Sequence, residues 1–374
     1  MRFPEFKEAW KDSNIGKCFD LYSGNTPSRM EKEHFIGDVN WITSGELKEH
    51  YIGDTKERIS EKAAADNNLR ILPVGTFVMA IYGLEAEGVR GTCSITVKTS
   101  TISQACMAFT PKSNVSNEFL YSWYKKHGNK IGIRYAQGTK QQNLSYDIIE
   151  KFPIRYPSIE EQEKLNTFIS LLDSRIATQN KIIEDLKKLK VAIRDKQLNA
   201  IRKHYGLNYQ ICDLLDYEQP TKYVVTDTEY SEDRSKTPVL TANKAFILGY
   251  TDENFGVYDN GACIILDDFT LDCKYVDFPF KVKSSAIKIL TVKNSYSLRY
   301  VYEYLNYLNL ETTEHKRHYI SEIEPMMIAY PTDKKKIDDF NNMMSSLESK
   351  IEIENKYLQS LLAQKSYLLS NMFI

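Results

Sequence analysis

The sequence predicts an α+β fold in which two mixed α/β domains are separated by two long helices that form an antiparallel coiled coil. Three observations favour this fold: the length of 374 residues, a helical hydrophobic pattern that occurs twice, and strand-like runs upstream of each occurrence. A chain of this length exceeds the size at which one core usually keeps growing, so two domains are expected. Because the second half repeats the first, we expect a tandem repeat with pseudo two-fold symmetry.

The first domain is predicted at residues 1–157. Short runs rich in β-branched and aromatic residues, such as residues 76–82 (TFVMAIY), lie between turn residues and indicate strands. The domain ends at Pro157, because a proline disfavours helical geometry in the residue before it.

The first long helix is predicted at residues 158–203. Its apolar residues recur at spacings of three and four, which is typical of a helix with one buried face. They are Leu165, Phe168, Leu172, Ile176, Ile183, Leu186, Leu189 and Ile193. A helix of this size spans roughly 60 Å at the α-helical rise, and its apolar stripe has to be covered by another element.

The second domain is predicted at residues 204–331 and the second long helix at residues 332–374. A strand-like run at residues 262–266 and Pro331 repeat the features of the first half. The apolar residues of the second helix lie 175 positions beyond counterparts in the first: Phe340, Met343, Leu347, Ile351, Leu358, Leu361 and Leu368. Each helix is therefore the natural cover for the apolar stripe of the other.

The composition indicates a globular protein, with 42% hydrophobic and 12% aromatic residues. The six cysteines contain no CxxC pair, as is typical of free thiols in a reducing compartment. No apolar run approaches the roughly 18 residues of a membrane span, and the N-terminus lacks an apolar signal region. We therefore expect a cytoplasmic protein without a membrane partner.

The predicted geometry is suited to reading DNA at two separated places. Related helices that pair antiparallel would place two unlike domains at opposite ends, so that each domain faces the duplex and a gap between them stays unread. The net charge of −1 argues against a generally basic nucleic-acid binder, but cations cluster locally at residues 187–190 and 315–318. The alternatives are a coiled-coil assembly scaffold and a nuclease that acts alone.

Several segments resemble the specificity subunits of type I restriction-modification enzymes. The first domain and its exit carry the resemblance at residues 15–17, 23–28, 41–47, 80–83, 137–145 and 157–162. The second domain is similar to another variety of the same family at residues 217–221, 238–241 and 267–270. Its helix departs from the pattern, because residues 333–336 (DKKK) stand where the first helix has Glu160-Glu161-Gln162.

The resemblance implies two target-recognition domains and a chain without catalytic activity. It also implies that two modification (methyltransferase) subunits bind the chain and that restriction/translocase subunits join them. S-adenosylmethionine, ATP and Mg²⁺ would then belong to those partners, and this chain would hold no cofactor. Double-stranded DNA is the implied target.

Motifs for catalysis are mostly absent. The chain has no GxxxxGK[ST] loop and no FxGxG or NPPY-like pair of a methyltransferase. A nuclease-like set could combine Asp267 or Asp277 with Glu314-His315-Lys316, although E-x-K is common by chance in a chain with 26% charged residues. For Asp267 and Asp268 a structural role is favoured over metal binding. His315 and His318 fit a surface patch better than a metal site.

Candidate DNA contacts are polar and basic side chains in turn-rich segments. Amides can bond two edge atoms of adenine, while lysine and arginine reach phosphate or guanine. For residues 138–143, a polar turn is the alternative. The candidates are Thr26, Arg29, Thr43, Ser44, Lys140, Gln141, Gln142 and Asn143 in the first domain, and Thr241, Asn243, Lys244, Lys316, Arg317 and His318 in the second.

Overall fold

The chain folds into two compact units, and each long helix has one part in each unit. The computed structural model describes residues 2–84, 88–136, 142–242, 245–312, 314 and 316–373. The first unit comprises Met1–Gln179 with Tyr357–Ile374, and the second comprises Asn180–Lys356. In the described part of the chain, no helix is long and apolar enough to cross a membrane.

The first unit is a mixed α/β domain whose chain begins and ends side by side. Its strands are β1 (Lys11–Asn14), β2 (Phe19–Ser23), β3 (Val39–Ile42), β4 (Tyr51–Ile52), β5 (Arg58–Ile59), β6 (Phe77–Ala80), β7 (Cys93–Thr96), β8 (Ser100–Ile102), β9 (Cys106–Pro111) and β10 (Pro153–Tyr156). Its helices are α1 (Ile15–Cys18), α2 (Glu61–Asp66), α3 (Asn117–Tyr135), α4 (Tyr146–Glu150) and the first part of α5 (Ile159–Tyr205).

Among the described residues, three sheets build this domain. They have the strand orders β2-β9-β6-β7-β4, β5-β3-β8 and β1-β10. The core of the largest sheet is aromatic: Phe77 lies edge-on to Phe109 and to Tyr124 of α3, and all three side chains are buried. Antiparallel pairing of β1 with β10 joins the entry strand to the exit strand that leads into α5.

The second unit repeats this plan with different sheets. Its elements are the second part of α5, β11 (Tyr209–Gln210), α6 (Ile211–Leu214), β12 (Leu215–Glu218), β13 (Thr237–Leu240), β14 (Ile247–Thr251), β15 (Cys263–Asp267), β16 (Cys273–Val276), β17 (Lys281–Val282), β18 (Ile287–Val292), α7 (Leu298–Leu308), β19 (Met327–Ile328) and the first part of α8 (Lys334–Met372). The strand orders are β12-β18-β15-β16, β14-β13-β17 and β11-β19.

Matching backbone hydrogen bonds relate the two domains. The N–H of Ile15 donates to the carbonyl of Phe152 at 2.9 Å, and the N–H of Ile211 donates to the carbonyl of Met326 at 3.0 Å. In both cases the donor begins the short helix after the entry strand, and the acceptor directly precedes the exit strand. The repeat seen in the sequence is therefore also a repeat of the domain frame.

The long helices begin and end at the residues that local chemistry favours. Before α5, Pro157 ends the extended exit, and the acids Glu160 and Glu161 lie in the first turn, where the helix dipole favours negative charge. Gly206 follows its last turn with φ +68° and donates its N–H to the carbonyl of Arg202, which is the usual glycine stop. At the start of α8, Asp333 accepts a hydrogen bond from the N–H of Lys335 at 2.9 Å.

The two long helices pair antiparallel in each unit. In the first unit the start of α5 packs with the end of α8, and in the second unit the end of α5 packs with the start of α8. The buried contacts are Leu165, Ile169 and Leu172 with Leu368 and Met372 in the first unit, and Leu198 and Ile201 with Ile337, Phe340 and Met344 in the second. The predicted fold class, mixed α/β domains with a pair of long antiparallel helices, is confirmed.

Candidate nucleic-acid interface

The Glu160-Glu161-Gln162 motif at the start of α5 joins the helix to the domain. The side-chain oxygen of Gln162 accepts from the N–H of Ser116 at 2.9 Å, and its amide donates to the carbonyls of Asn114 and Pro157 at 2.8 and 3.0 Å. Glu161, also buried, forms a salt bridge with Arg2 at 2.6 Å. These contacts make the motif structural, because every polar group of Gln162 is occupied inside the protein.

Arg29 lies in an ordered surface site of the first unit. Its guanidinium forms a two-pronged contact with the Glu57 carboxylate, with one arm at 2.8 Å, and lies over the ring of Phe35 at 4.7 Å and near that of Trp41 at 5.5 Å. The hydrogen bond to Glu57 raises the pKa of Arg29. The side chain is nevertheless 59% exposed, so it is oriented and still accessible.

Thr43 and Ser44 begin a short helical turn. The Thr43 hydroxyl donates to Glu46 at 2.7 Å, and the Glu46 carboxylate accepts from the Thr43 N–H at 3.0 Å. The hydroxyl of Thr43 is thus held by its own turn. Ser44 and Thr26 are half-buried, and Thr26 donates its N–H to the Asn25 side chain at 2.8 Å.

The described end of the loop between α3 and α4 is attached to the domain by its backbone. Leu144, which is 1% exposed, donates its N–H to Ile81 at 2.9 Å, and the carbonyl of Gln142 accepts from Leu84. The Gln142 side chain accepts from Arg90 at 3.0 Å. The predicted contacts Lys140 and Gln141 lie outside the described residues.

Arg90 was missed by the sequence prediction. Its guanidinium orients Gln142, although 52 positions separate the two residues. No local pattern marks such a pair, because an arginine in a turn-rich segment gives no indication of its partner.

In the second unit, Thr241 is 8% exposed and donates its N–H to the carbonyl of Phe246. The adjacent candidates Asn243 and Lys244 lie outside the described residues. Thr241 therefore presents little surface of its own.

The basic segment before β19 divides into exposed and buried members. Lys316 forms salt bridges with Glu314 at 2.7 Å and Glu322 at 3.0 Å, and those contacts raise its pKa. Arg317 is exposed and has no ion-pair partner among the residues that the structure describes. Its exposed guanidinium is available to an external anion.

His318 is buried, and the predicted surface position is wrong for this residue. Its ring contacts Glu322 at 2.9 Å and Thr312 at 3.0 Å, and the hydrogen bond to Glu322 raises its pKa. Its backbone N–H donates to the Asp268 carboxylate at 3.0 Å. Asp268, fifty positions earlier in the chain, thereby fixes the segment that contains His318 in its buried position.

Asp267 and Asp268 have structural roles, as favoured from the sequence. One oxygen of Asp267 accepts from the N–H groups of Phe269 and Thr270 at 2.9 and 3.0 Å, which closes a turn. Asp268 is buried with Lys288 at 3.5 Å. Within the described ranges, no group of three or more His, Cys, Asp or Glu side chains could hold a metal ion.

Comparison with known proteins identifies relatives. Residues 7–188 match the family model for the type I restriction modification DNA specificity domain. The type I restriction enzyme EcoR124I/EcoR124II specificity subunit of Escherichia coli is 48% identical over 125 residues, and the match covers 32% of this chain and 31% of that protein. The MjaIX specificity subunit of Methanocaldococcus jannaschii is 30% identical over 233 residues, with coverage of 59% and 53%. The matches thus span less than two thirds of either relative.

Solved structures share the fold over nearly the whole chain. A type I restriction-modification S subunit from M. genitalium has a TM-score of 0.58 at 16% identity and covers 100% of this chain and 99% of its own. A chain from work on complex assembly and conformational transition of the type I R-M system has a TM-score of 0.60 at 11% identity, with coverage of 98% and 97%.

Proposed function

Because residues 7–188 match the type I restriction modification DNA specificity domain, we propose that this chain recognises a split DNA target on behalf of partner subunits that methylate and cleave DNA. The observation that carries the proposal is that the domain frame matched by the family occurs twice, while the polar side chains on the two domains differ. Two unlike reading domains fit a target with two unlike parts and an unread gap.

The proposed division of the chain follows the repeat. Residues 1–157 and 204–331 are the proposed target-recognition domains, and residues 158–203 and 332–374 are the proposed spacers. Proposed partners are two modification subunits and the restriction/translocase subunits, which would supply S-adenosylmethionine, ATP and Mg²⁺ chemistry. The proposed location is the cytoplasm.

The proposed DNA contacts are the candidate residues with accessible side chains. In the first unit these are Thr26, Arg29, Ser44, Gln142 and Asn143, and in the second unit Lys316 and Arg317. Asn143 is half-buried with its side chain unbonded among the described residues, so its amide can bond an adenine edge. His318 and Thr43 support neighbouring groups, since their side chains are engaged inside the protein.

Mapping of methylated bases tests the proposal. DNA is sequenced from cells that carry this chain together with a methyltransferase subunit of its family, and from cells that carry the methyltransferase subunit alone. We expect one split motif with a constant gap, present only when both proteins are expressed. A contiguous motif, or methylation that does not require this chain, would contradict the proposal.

Two further measurements separate the alternatives. A chain that cuts DNA by itself with Mg²⁺ would be a nuclease. A complex that binds target and scrambled duplexes equally would contain an assembly scaffold. We expect no cleavage and a clear preference for the target duplex.

A further inference from the structure

The helix before the exit segment, with the loop that follows it, occupies the same place in both domains. In the first unit the Leu144 N–H donates to Ile81 at 2.9 Å, and in the second unit the His318 N–H donates to Asp268 at 3.1 Å. Ile81 and Asp268 in turn donate their N–H groups to Ala105 and Ala286, at 2.9 and 2.8 Å. The same two-step ladder thus anchors the loop after α3 and the loop after α7.

Unpaired positive charge is found on this element in both domains, although on different parts of it. In the first unit it lies on the helix: Lys130 and Arg134 are exposed and have no ion-pair partner in the described ranges. The described loop residues Gln142 and Asn143 are neutral. In the second unit the only cation of α7, Arg299, is paired with Glu348, and the charge lies in the loop at Arg317.

Three of the four lysine and arginine residues of α3 form one row on the helix, and Lys125 lies off that row. Lys126, Lys130 and Arg134 are separated by four residues each, so they share a face with a rise of about 6 Å between neighbours. Like charges at this spacing disfavour the helix. Lys126 is satisfied within the first unit, because its ammonium donates to the carbonyls of Ser370 and Phe373. Within the described ranges, Lys130 and Arg134 have no such compensation.

A groove beside this row adds aromatic surface. Trp123, Tyr135 and Phe152 line it together with Lys130 and Arg134. Cations interleaved with aromatic rings suit the sugar-phosphate backbone of DNA, because phosphates neutralise the charge and the rings pack against sugars. After Glu118, the described part of α3 contains no aspartate or glutamate.

We propose that this helix-and-loop element is the DNA-backbone contact of each domain, made by Lys130 and Arg134 in the first unit and by Arg317 in the second. The inference rests on the proposed function and deepens it, since it separates backbone contact from base reading. Phosphate contacts carry no sequence information, so these residues set affinity and leave the recognised sequence unchanged.

The salt dependence of DNA binding tests this proposal. The full chain, in complex with a methyltransferase subunit of its family, is titrated with the mapped target duplex and with a random-sequence duplex at several salt concentrations. Each lost phosphate contact lowers the log–log salt slope by ~0.9. We expect a decrease of ~2 for Lys130→Ala/Arg134→Ala and ~1 for Arg317→Ala, with both duplexes weakened by the same factor.

Matched controls are exposed cations elsewhere in the same units. Lys62→Ala in the first unit and Arg234→Ala in the second remove exposed charges that, within the described ranges, also lack ion pairs. We expect these variants to keep the wild-type slope. All variants should retain the wild-type thermal midpoint, because the substituted side chains are exposed.

Two results would overturn the proposal: slopes equal to those of the controls, or loss of target preference with an unchanged slope. The proposed function fails separately, if the wild-type complex binds target and random duplexes equally. The random-sequence duplex still measures the slope in that case, so the two failures are distinguishable.

Discussion

Two buried polar residues of this chain, Gln162 and Asp268, connect distant segments through their hydrogen bonds. Gln162 at the start of α5 has its oxygen and its amide occupied by three backbone groups and is fully buried. One carboxylate oxygen of Asp268 accepts hydrogen bonds from the backbone N–H groups of His318 and Tyr319. Such residues connect segments far apart in sequence, because an unpaired polar group in the interior is costly.

Replacement of Gln162 should destabilise the protein. Gln162→Ala leaves the N–H of Ser116 and two carbonyls without their partner, at a cost of roughly 1–3 kcal/mol. Chemical denaturation of the full chain measures the change. Glu163→Ala, at the exposed neighbouring position, should change stability by less than about 0.5 kcal/mol. Equal effects of the two substitutions would contradict this structural role.

Glu253 makes stability depend on acid. The hydrogen bond from Lys281, followed by that from Thr226, lowers the pKa of Glu253 from 4.5 to about 2. A carboxyl with a depressed pKa stabilises the fold above its unfolded-state pKa, and that contribution is lost as pH falls towards the folded-state value.

Glu253→Gln should therefore be less stable than wild type near neutral pH, and the difference should shrink between pH 4.5 and about 2. Thermal midpoints measured across this range give the result. Glu232→Gln, at an exposed position of the same unit, is the control variant. A constant difference for Glu253→Gln would count against the assigned pKa.

The long helices carry an ion pair that the repeat duplicates. Asp173 on α5 pairs with Lys365 on α8 in the first unit, and Lys190 on α5 pairs with Glu348 on α8 at 3.5 Å in the second. Each residue lies 175 positions from its equivalent, so each helix contributes the acidic partner of one pair and the basic partner of the other. In the second pair, the Lys190 ammonium also lies 2.9 Å from the carboxylate of Glu303, whose side chain is 1% exposed.

This difference predicts unequal costs for equivalent substitutions. Lys190→Ala removes a principal partner of a buried carboxylate, which should cost ~3 kcal/mol. Lys365→Ala breaks a pair with about a quarter to a third of each side chain exposed and should cost less than ~1 kcal/mol. Urea denaturation of the two variants provides the comparison, with each the control for the other. Similar losses would show that Glu303 keeps adequate compensation from Arg299.

At the scale of the whole molecule, each proposed reading domain should act on its own part of the target. Asn143 lies in the first unit, and its amide is the proposed adenine contact. Asn143→Ala should relax one position in one part of the methylated motif, by ~10-fold in preference, and leave the other part and the gap unchanged. Methylation mapping of the variant, with Glu163→Ala as the control, measures this. Simultaneous loss of both parts would instead indicate a general structural defect.

The repeat itself could be predicted from the sequence because local residue patterns indicate it. The three-and-four spacing in α5 and α8 and the prolines before them depend only on neighbouring residues. The position of His318 could not be predicted in this way. A histidine next to basic residues has the pattern of a surface patch. Its burial depends on a hydrogen bond to Asp268, which directly follows β15.

By itself, the sequence determined the mixed α/β class, the two long helices and their 175-residue repeat, since these follow from the periodicity of apolar side chains and from turn residues. Tertiary structure alone decided which polar residues are buried and which cations are left exposed. The physical reason is that hydrogen bonds such as Arg90 to Gln142 and ion pairs such as Asp173 with Lys365 join positions 52 and 192 residues apart. Such partners become neighbours only when the chain has folded.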